Sequence, residues 1–314
     1  MRAYKHSTTV ALNWTDEEMA TIFKPTALSP PKPKPTAIER SVFSPRNLKE
    51  FVGQENPKKL VSIMVEAAKH EKRPLPNMML VGGYGLGKTS LAQLIIQEYK
   101  GHVSSADIKD GMSVNKEKPT SGLLIVDEIH LLDPAVADRL NIALDSGTLH
   151  IIGCTTDSGK LPAPFRSRFR TLQLENYTVA EIVTIAELVC KRKGVTPLPN
   201  VLEYIAKRSR FNARQVTMYL SMIFDLMAVR GRRIIEQPIV NEAFDLLGVD
   251  DNGFIERDRK YIRAMPDGRP VGISALSAMI GIDALTIENE IEPYLLQQGI
   301  IDRTPRGRIK LREL

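Results

Sequence analysis

The sequence predicts an α/β core built on a parallel sheet, followed by an all-helical lid and then a winged-helix unit. Three observations carry this. Short apolar runs that read as buried strands alternate with helical stretches through residues 41–176, the pattern of a parallel sheet wrapped on both faces. After Tyr177 the strands stop and helical spacing takes over through residues 177–249. Residues 250–314 then read helix, helix, hairpin.

Ahead of the core, residues 1–40 read as a flexible arm. Asp16 to Phe23 has the pattern of a short helix, but Pro25, Pro30, Pro31, Pro33 and Pro35 follow, the last three separated by lysines. That composition favours extended, polyproline-like chain. In the core, Leu60, Ile63, Met64 and Ala67 recur at helical spacing, so a helix precedes the first strand. Strands are expected at Met78–Val81, Gly122–Val126, Leu149–Cys154 and Thr171–Leu174, with helices at Ser90–Tyr99 and Asp133–Leu144. The short segment from Lys100 to Ser121 predicts a trimmed sheet.

Thr178 and Glu181 have capping-box spacing ahead of a helix that Gly194 ends. Further lid helices are expected at Val201–Lys207, Ala213–Val229 and Pro238–Leu246, with Tyr219, Met222, Phe224 and Met227 as core. In the last unit, Ile273–Ile280 is a short helix, and Asp283 caps a longer one whose Ile287, Ile291 and Leu295 share a face. Ile300–Arg303 and Arg308–Leu311 are β-prone and flank Thr304-Pro305-Arg306-Gly307.

Bulk properties set outer limits. With 314 residues the chain exceeds one small core. No apolar run is long enough to cross a bilayer, and Met1 to Trp14 lacks the apolar stretch of a secretory signal, so a cytoplasmic protein with no membrane partner is expected. Cys154 and Cys190 lie in no CxxC pair and are expected as buried thiols. The formal net charge of +6 suits a polyanion without identifying one.

Two motifs carry chemistry. Gly82-Gly83-Tyr84-Gly85-Leu86-Gly87-Lys88-Thr89 matches GxxxxGK[ST] between a strand and a helix that begins at Ser90. Its glycines let backbone N–H groups turn inward around phosphates, and the helix N-terminus adds a positive dipole end. Lys88 is expected on the β- and γ-phosphates of ATP, and Thr89 on Mg²⁺. Leu123-Leu124-Ile125-Val126-Asp127-Glu128 places two carboxylates at the C-terminal end of a buried strand, where open α/β sheets bind ligands. Asp127 is expected to hold Mg²⁺ and Glu128 to orient the attacking water. A third feature faces nucleic acid. Arg303, Arg306, Arg308 and Lys310 cluster on the C-terminal hairpin, which could track DNA phosphates without reading sequence.

These residues resemble the RuvB family of AAA+ Holliday-junction branch-migration ATPases, over about Pro45 to Lys310. Pro45 to Gln54 resembles the family's N-terminal box, which implies that Phe51 and Val52 lie beside the adenine. Asp127 to Leu132 resembles its Walker B segment. Gly153-Cys154-Thr155-Thr156 resembles its sensor-1 strand, with Thr156 at the sensor position. Pro164 to Phe169 resembles its arginine-finger segment, which implies Arg168, with Arg166 close behind, acting on a neighbouring subunit's nucleotide. Asn212-Ala213-Arg214 resembles its sensor-2 segment, which implies Arg214 touching the γ-phosphate in cis. Asp258 to Tyr261, Pro270 to Gly272, Ile291 to Gln297 and Arg303 to Arg308 resemble its winged helix.

The resemblance implies a hexameric ring working on DNA. It also has departures. Gly83 and Tyr84 replace two prolines, and Ser44 replaces an arginine. Leu144 to Leu149 crosses almost directly an interval where the family inserts a long hairpin that docks on its partner RuvA. A RuvA-type partner is therefore doubtful, and the N-terminal arm or another adaptor would serve instead. The rival readings are a AAA+ loader that places another protein on DNA, and a winged-helix regulator with a vestigial ATPase core.

Overall fold

The structure is a computed structural model and describes residues 42–99, 103–107, 122–132, 134–147 and 149–312. The N-terminal arm expected over residues 1–40 lies outside the described residues.

Five strands form one parallel sheet: β1 (Met78–Val81), β2 (Val103–Asp107), β3 (Gly122–Asp127), β4 (Leu149–Thr155) and β5 (Arg170–Gln173). Their order is β2-β3-β4-β1-β5. β1 lies between β4 and β5, with Met78 opposite both Ile152 and Arg170, and all four of its residues are buried. A strand buried on both faces has no polar face to alternate with, which is why Met-Met-Leu-Val is continuously apolar. The expectation of a trimmed sheet is corrected by β2, which completes the far edge against β3.

Helices α1 (Glu55–His70) and α2 (Lys88–Tyr99) contribute to the larger apolar cluster with β1, and α3 (Pro134–Asp145) to a smaller cluster around Met79, Leu124, Ile151 and Phe165. The helix expected around Leu60 forms as α1, but its inward face is Val61, Met64, Val65 and Ala68, while Leu60 and Ile63 are 50% and 63% exposed. Both sets satisfy helical spacing, so periodicity alone did not choose the face. A short helix, α4 (Ala163–Arg166), precedes β5.

The lid follows as α5 (Val179–Lys193), α6 (Val201–Arg208), α7 (Ala213–Val229) and α8 (Gln237–Leu247). Thr178 and Glu181 form the reciprocal capping box expected of them, and Gly194 closes α5 in a left-handed conformation. Tyr219, Phe224 and Met227 are buried and Met222 is partly buried. Lid and core share one apolar cluster that runs from β1 through Tyr177 to Val216 and Tyr219. Cys154 and Cys190 are buried free thiols.

The winged helix has a core of its own, which includes Phe254, Tyr261, Leu276, Ile287, Ile291 and Leu295. It consists of α9 (Glu256–Arg263), α10 (Ile273–Ile280), a helical run Ala284–Thr286, Ile287–Ile291 and Glu292–Gln297, and the antiparallel pair β6 (Ile301–Thr304) and β7 (Gly307–Lys310). The middle segment of that run is a π turn, yet Ile287, Ile291 and Leu295 stay on one fully buried face. Ion pairs join this unit to the lid: Arg210 to Asp258 and Arg208 to Asp251. Among the described residues no helix is long and apolar enough to cross a membrane.

Candidate active site

The C-terminal ends of β1 and β3 open onto a cleft of about 290 Å³. Phe51, Val52, Tyr84, Gly85, Gly87, Lys88, Thr89, Ser90, Asp127, Glu128 and Arg214 all line it. Residues from the N-terminal box, the phosphate loop, the Walker B strand and the lid therefore meet in one cavity.

The loop has the conformation its glycines permit. Gly85 and Gly87 have φ of +73° and +89°, where side chains are strained. A Cβ on Gly85 would also sit 2.0 Å from Asn212 Oδ1, and one on Gly87 would sit 2.9 Å from the Phe51 ring. Lys88 is 6% exposed and donates through Nζ to the carbonyls of Gly82 and Gly83, both at 2.8 Å. Burial lowers its pKa, and the nearby Glu128 and Asp127 carboxylates work against that. Leu86 is buried, and its carbonyl accepts a hydrogen bond from the Tyr177 hydroxyl at 3.0 Å.

Thr89 Oγ1 donates to Asp127 Oδ2 at 2.9 Å, so the hydroxyl and carboxylate already converge. An all-oxygen pair suits a hard divalent cation such as Mg²⁺, which takes few protein ligands and completes its shell with phosphate and water. No group of three or more His, Cys, Asp or Glu that could cage a metal occurs among the described residues.

Glu128 has φ of 49° and ψ of 45°, a left-handed backbone that costs of order 1–3 kcal/mol in a non-glycine residue. Its Oε2 is buried without a hydrogen-bond partner among the described residues, 3.4 Å from His130 Nδ1. His130 Nδ1 is 3.0 Å from Thr155 Oγ1. Burial lowers the His130 pKa, with Glu128 opposing, which leaves the ring neutral near neutral pH. A carboxylate oxygen held unsatisfied at the end of a buried strand is costly unless a reacting group comes to it.

The remaining expected site residues divide between the cleft and its surroundings. Arg214 is exposed on the lid side of the cleft, at the second position of α7. Asn212 caps that helix, accepting from the Arg214 and Gln215 N–H groups, while its amide donates to the Tyr84 carbonyl at 2.7 Å. Thr156 does not line the cleft, but lies near enough to the Tyr84 hydroxyl to oppose the rise in its pKa, which burial and then Glu128 cause. Arg168 does not line the cleft either. Its guanidinium is held by Asp145, through Nε at 2.7 Å and Nη2 at 2.6 Å, and by the Pro164 carbonyl. Arg166 donates to the Ser158 carbonyl at 3.2 Å.

Some cleft residues had no signature in the sequence. Arg192, at 9% side-chain exposure, donates to the carbonyls of Val42 and Ser44 and to Glu50, tying the lid to the N-terminal box. It sits in the run Lys191-Arg192-Lys193, which reads as a solvated helix end. Ser44, the position where an arginine is missing, is thus bonded through its backbone by an arginine from the lid. Asn212 was visible only as part of the sensor-2 segment, without its contact to the loop.

On the wing, the four expected DNA-facing side chains divide. Arg303 and Arg308 both bind Glu292, which is fully buried, and Arg308 also binds Glu288 at 2.6 Å. Lys310 pairs with Asp267 at 2.5 Å. Arg306, at the exposed turn, makes no ion pair among the described residues.

A phosphate loop after β1, paired carboxylates at the end of β3, sheet order β2-β3-β4-β1-β5 and a lid arginine over the cleft define a AAA+ P-loop nucleotide-binding protein. The family is narrower still. Residues 43–152 match the Holliday junction DNA helicase RuvB P-loop domain, and residues 251–311 match the RuvB C-terminal winged helix domain. The Holliday junction branch migration complex subunit RuvB of Thermotoga maritima is 35% identical over 308 residues, covering 86% of this chain and 92% of that protein. Its counterpart in Pseudothermotoga lettingae is 34% identical over 295 residues, covering 84% and 86%. The solved structure of the Thermotoga maritima RuvB Holliday junction branch migration motor superposes with a TM-score of 0.79 at 36% identity, covering 86% of this chain and 96% of that one. The chain belongs to the RuvB family.

Proposed function

We propose that this chain hydrolyses ATP, with Mg²⁺, to translocate duplex DNA or drive branch migration of DNA junctions as a ring of its own copies, hexameric as in the family resemblance. Residues 41–176 act as the nucleotide core, 177–249 as the lid and 250–314 as the DNA-binding unit. The observation that carries the reading is the partition of charged groups around the cleft. Lys88, Thr89, Asp127, Glu128 and Arg214 gather at one cavity, while Arg168 is held outside it.

In this mechanism the phosphate loop and Lys88 bind the β- and γ-phosphates, and Thr89 and Asp127 hold Mg²⁺. The ion neutralises phosphate charge when bound. Glu128 orients and polarises water for attack on the γ-phosphate. Arg168 from the next copy stabilises charge developing in the transition state. Arg214 reports the γ-phosphate to the lid, and the lid moves the winged helix along the duplex. Phe51 and Val52 seat the base. On the DNA side, Arg306 supplies a phosphate contact directly, while Arg303, Arg308 and Lys310 contribute through the shape and field of the hairpin.

A loader that places another protein on DNA is a second reading, favoured by one observation. Residues 146–148 alone connect α3 to β4, leaving no room for a long inserted hairpin. In either reading the chain does not dock RuvA through such a hairpin, and its N-terminal arm or another adaptor takes that part. ATPase and strand-displacement assays on four-way junctions separate the two. Sustained DNA-stimulated turnover with junction movement supports the motor; slow turnover that tracks binding of a second protein supports the loader. Purified protein that neither binds nor cleaves ATP in the presence of DNA overturns both.

A further inference from the structure

Arg168 is the residue of this chain that the proposed function sends across a subunit boundary, and a side chain with that task needs a fixed direction. Its surroundings supply one. Asp145 takes Nε–H and one Nη2–H side-on, at 2.7 and 2.6 Å, and the Pro164 carbonyl takes one Nη1–H. A guanidinium has one N–H on Nε and two on each terminal nitrogen. One donor therefore remains on each terminal nitrogen, a fork suited to two phosphate oxygens.

The pair is poorly explained as a stabilising contact. Arg168 and Asp145 side chains are 28% and 58% exposed, and ion pairs so open to water add little to a fold. Asp145 is also the last residue of α3, where the negative end of the helix dipole disfavours a carboxylate. The arginine draws the Asp145 pKa down by hydrogen bonding and charge, and the carboxylate draws that of Arg168 up. Both groups thus stay charged at working pH.

The location adds a second line of argument. α3 begins at Pro134, just beyond the Walker B segment of the same chain, and ends at Asp145. Asp145 and the neighbouring Ile142, one turn earlier on this helix, both lie on its exposed surface. The helix thus spans from a copy's own catalytic carboxylates to the arginine it offers its neighbour.

We propose that Asp145 is a positioning residue for trans catalysis: its carboxylate aims the Arg168 guanidinium at the neighbouring copy's γ-phosphate. The proposal rests on Arg168 acting in trans. It assigns Asp145 to the donating side of each interface, not to the nucleotide-binding side of its own copy.

The test uses the full chain in DNA-stimulated ATPase assays, with binding of a fluorescent ribose-modified ADP as the affinity probe. Asp145→Ala and Asp145→Asn should lower kcat by about 10²-fold, the scale of a misplaced catalytic group, and leave KM for ATP and ADP binding within about twofold. Asp145→Glu should restore a large part of kcat. Mixing supplies the readout that mere structural damage would not reproduce. Asp145→Asn mixed with Lys88→Ala should regain activity, because some interfaces combine an intact loop with an intact donor. Asp145→Asn mixed with Arg168→Ala should not, since both lesions lie on the donating side. Wild-type kcat in Asp145→Asn, alongside an inactive Arg168→Ala, overturns the positioning role and leaves the trans arginine standing. Full activity in Arg168→Ala overturns the trans arginine and the positioning role together.

Discussion

The cleft and the wing both concentrate basic side chains, and they use them in opposite ways. In the cleft, Lys88 is buried among backbone carbonyls with its charge directed at the loop, and the nearby Asp127 and Glu128 form no ion pair with it. On the wing, Arg303 and Arg308 converge on the fully buried Glu292, which also accepts from the Tyr261 hydroxyl at 2.5 Å. Basic side chains line an open cleft in one place and hold the fold together in the other. Counting arginines on a hairpin therefore overstates what it offers to DNA. A charged group near a ligand surface must be weighed with the counter-ion behind it.

The sharpest way to break this contrast is to remove the counter-ion. Glu292→Ala removes the buried carboxylate that Arg303 and Arg308 share, leaving Arg308 only its pair with Glu288, and should cost the winged helix about 3 kcal/mol. Hydrogen exchange should show lost protection over residues 254–311 with the nucleotide core intact. Unchanged protection there would mean that Glu292 is not the organising charge. In the cleft, Glu128→Gln should lower the ATP hydrolysis rate about 10²–10³-fold while nucleotide binding persists, measured by single-turnover hydrolysis and ADP titration. Equal loss of binding and turnover would place Glu128 among the binding groups instead.

Smaller effects divide the wing itself. Arg306→Ala should reduce the slope of log affinity against log salt by about one for duplex DNA, with an unchanged melting profile. Arg308→Ala should do the reverse: lower stability, and move the salt slope less than Arg306→Ala does. Equal salt effects from the two would erase the division. The smallest effect is in pH. Arg308, Tyr261 and Arg303 together outweigh burial and hold the Glu292 carboxyl below the ordinary glutamate range. A depressed carboxyl contributes stability above its unfolded pKa, and loses it as pH falls through its folded value. Melting of the winged helix followed on acidification should show it loosening only below the usual carboxylate range, and Glu292→Gln should abolish that dependence.

What was legible in the sequence was local. The loop could be read because its glycines and lysine occupy fixed offsets that steric limits impose, and Asp127-Glu128 because two carboxylates after an apolar strand need a reason. Where tertiary partners decide, the residues were silent. α9 was missed because Glu-Arg-Asp-Arg-Lys-Tyr-Ile-Arg is so polar that only Tyr261 and Ile262 mark its apolar side, and Asp258 is buried by pairing with Arg210. β2 was missed because Val-Ser-Ser-Ala-Asp lacks an apolar run at a sheet edge. The inward face of α1 could not be read from spacing, because Leu60 and Ile63 also recur at helical intervals yet lie exposed. Arg192 hid inside a basic helix end, and Glu292 pairs across 11 and 16 residues, beyond any local pattern.

Residues 210 to 212 condense much of the molecule into one corner. Arg210 and Phe211 both have φ of 54°, outside regular helix, and each of the three successive residues grips a different part. Arg210 holds Asp258 of the winged helix, the Phe211 carbonyl accepts from the Tyr177 N–H, and Asn212 grips the Tyr84 carbonyl. Any displacement of the phosphate loop that carries Tyr84 along reaches the anchor of the DNA-facing unit through two peptide links. Under the proposed mechanism such a corner would serve as a crankpin, passing a small stroke at the phosphate loop to the distal arm with little intervening chain in which the stroke could be absorbed.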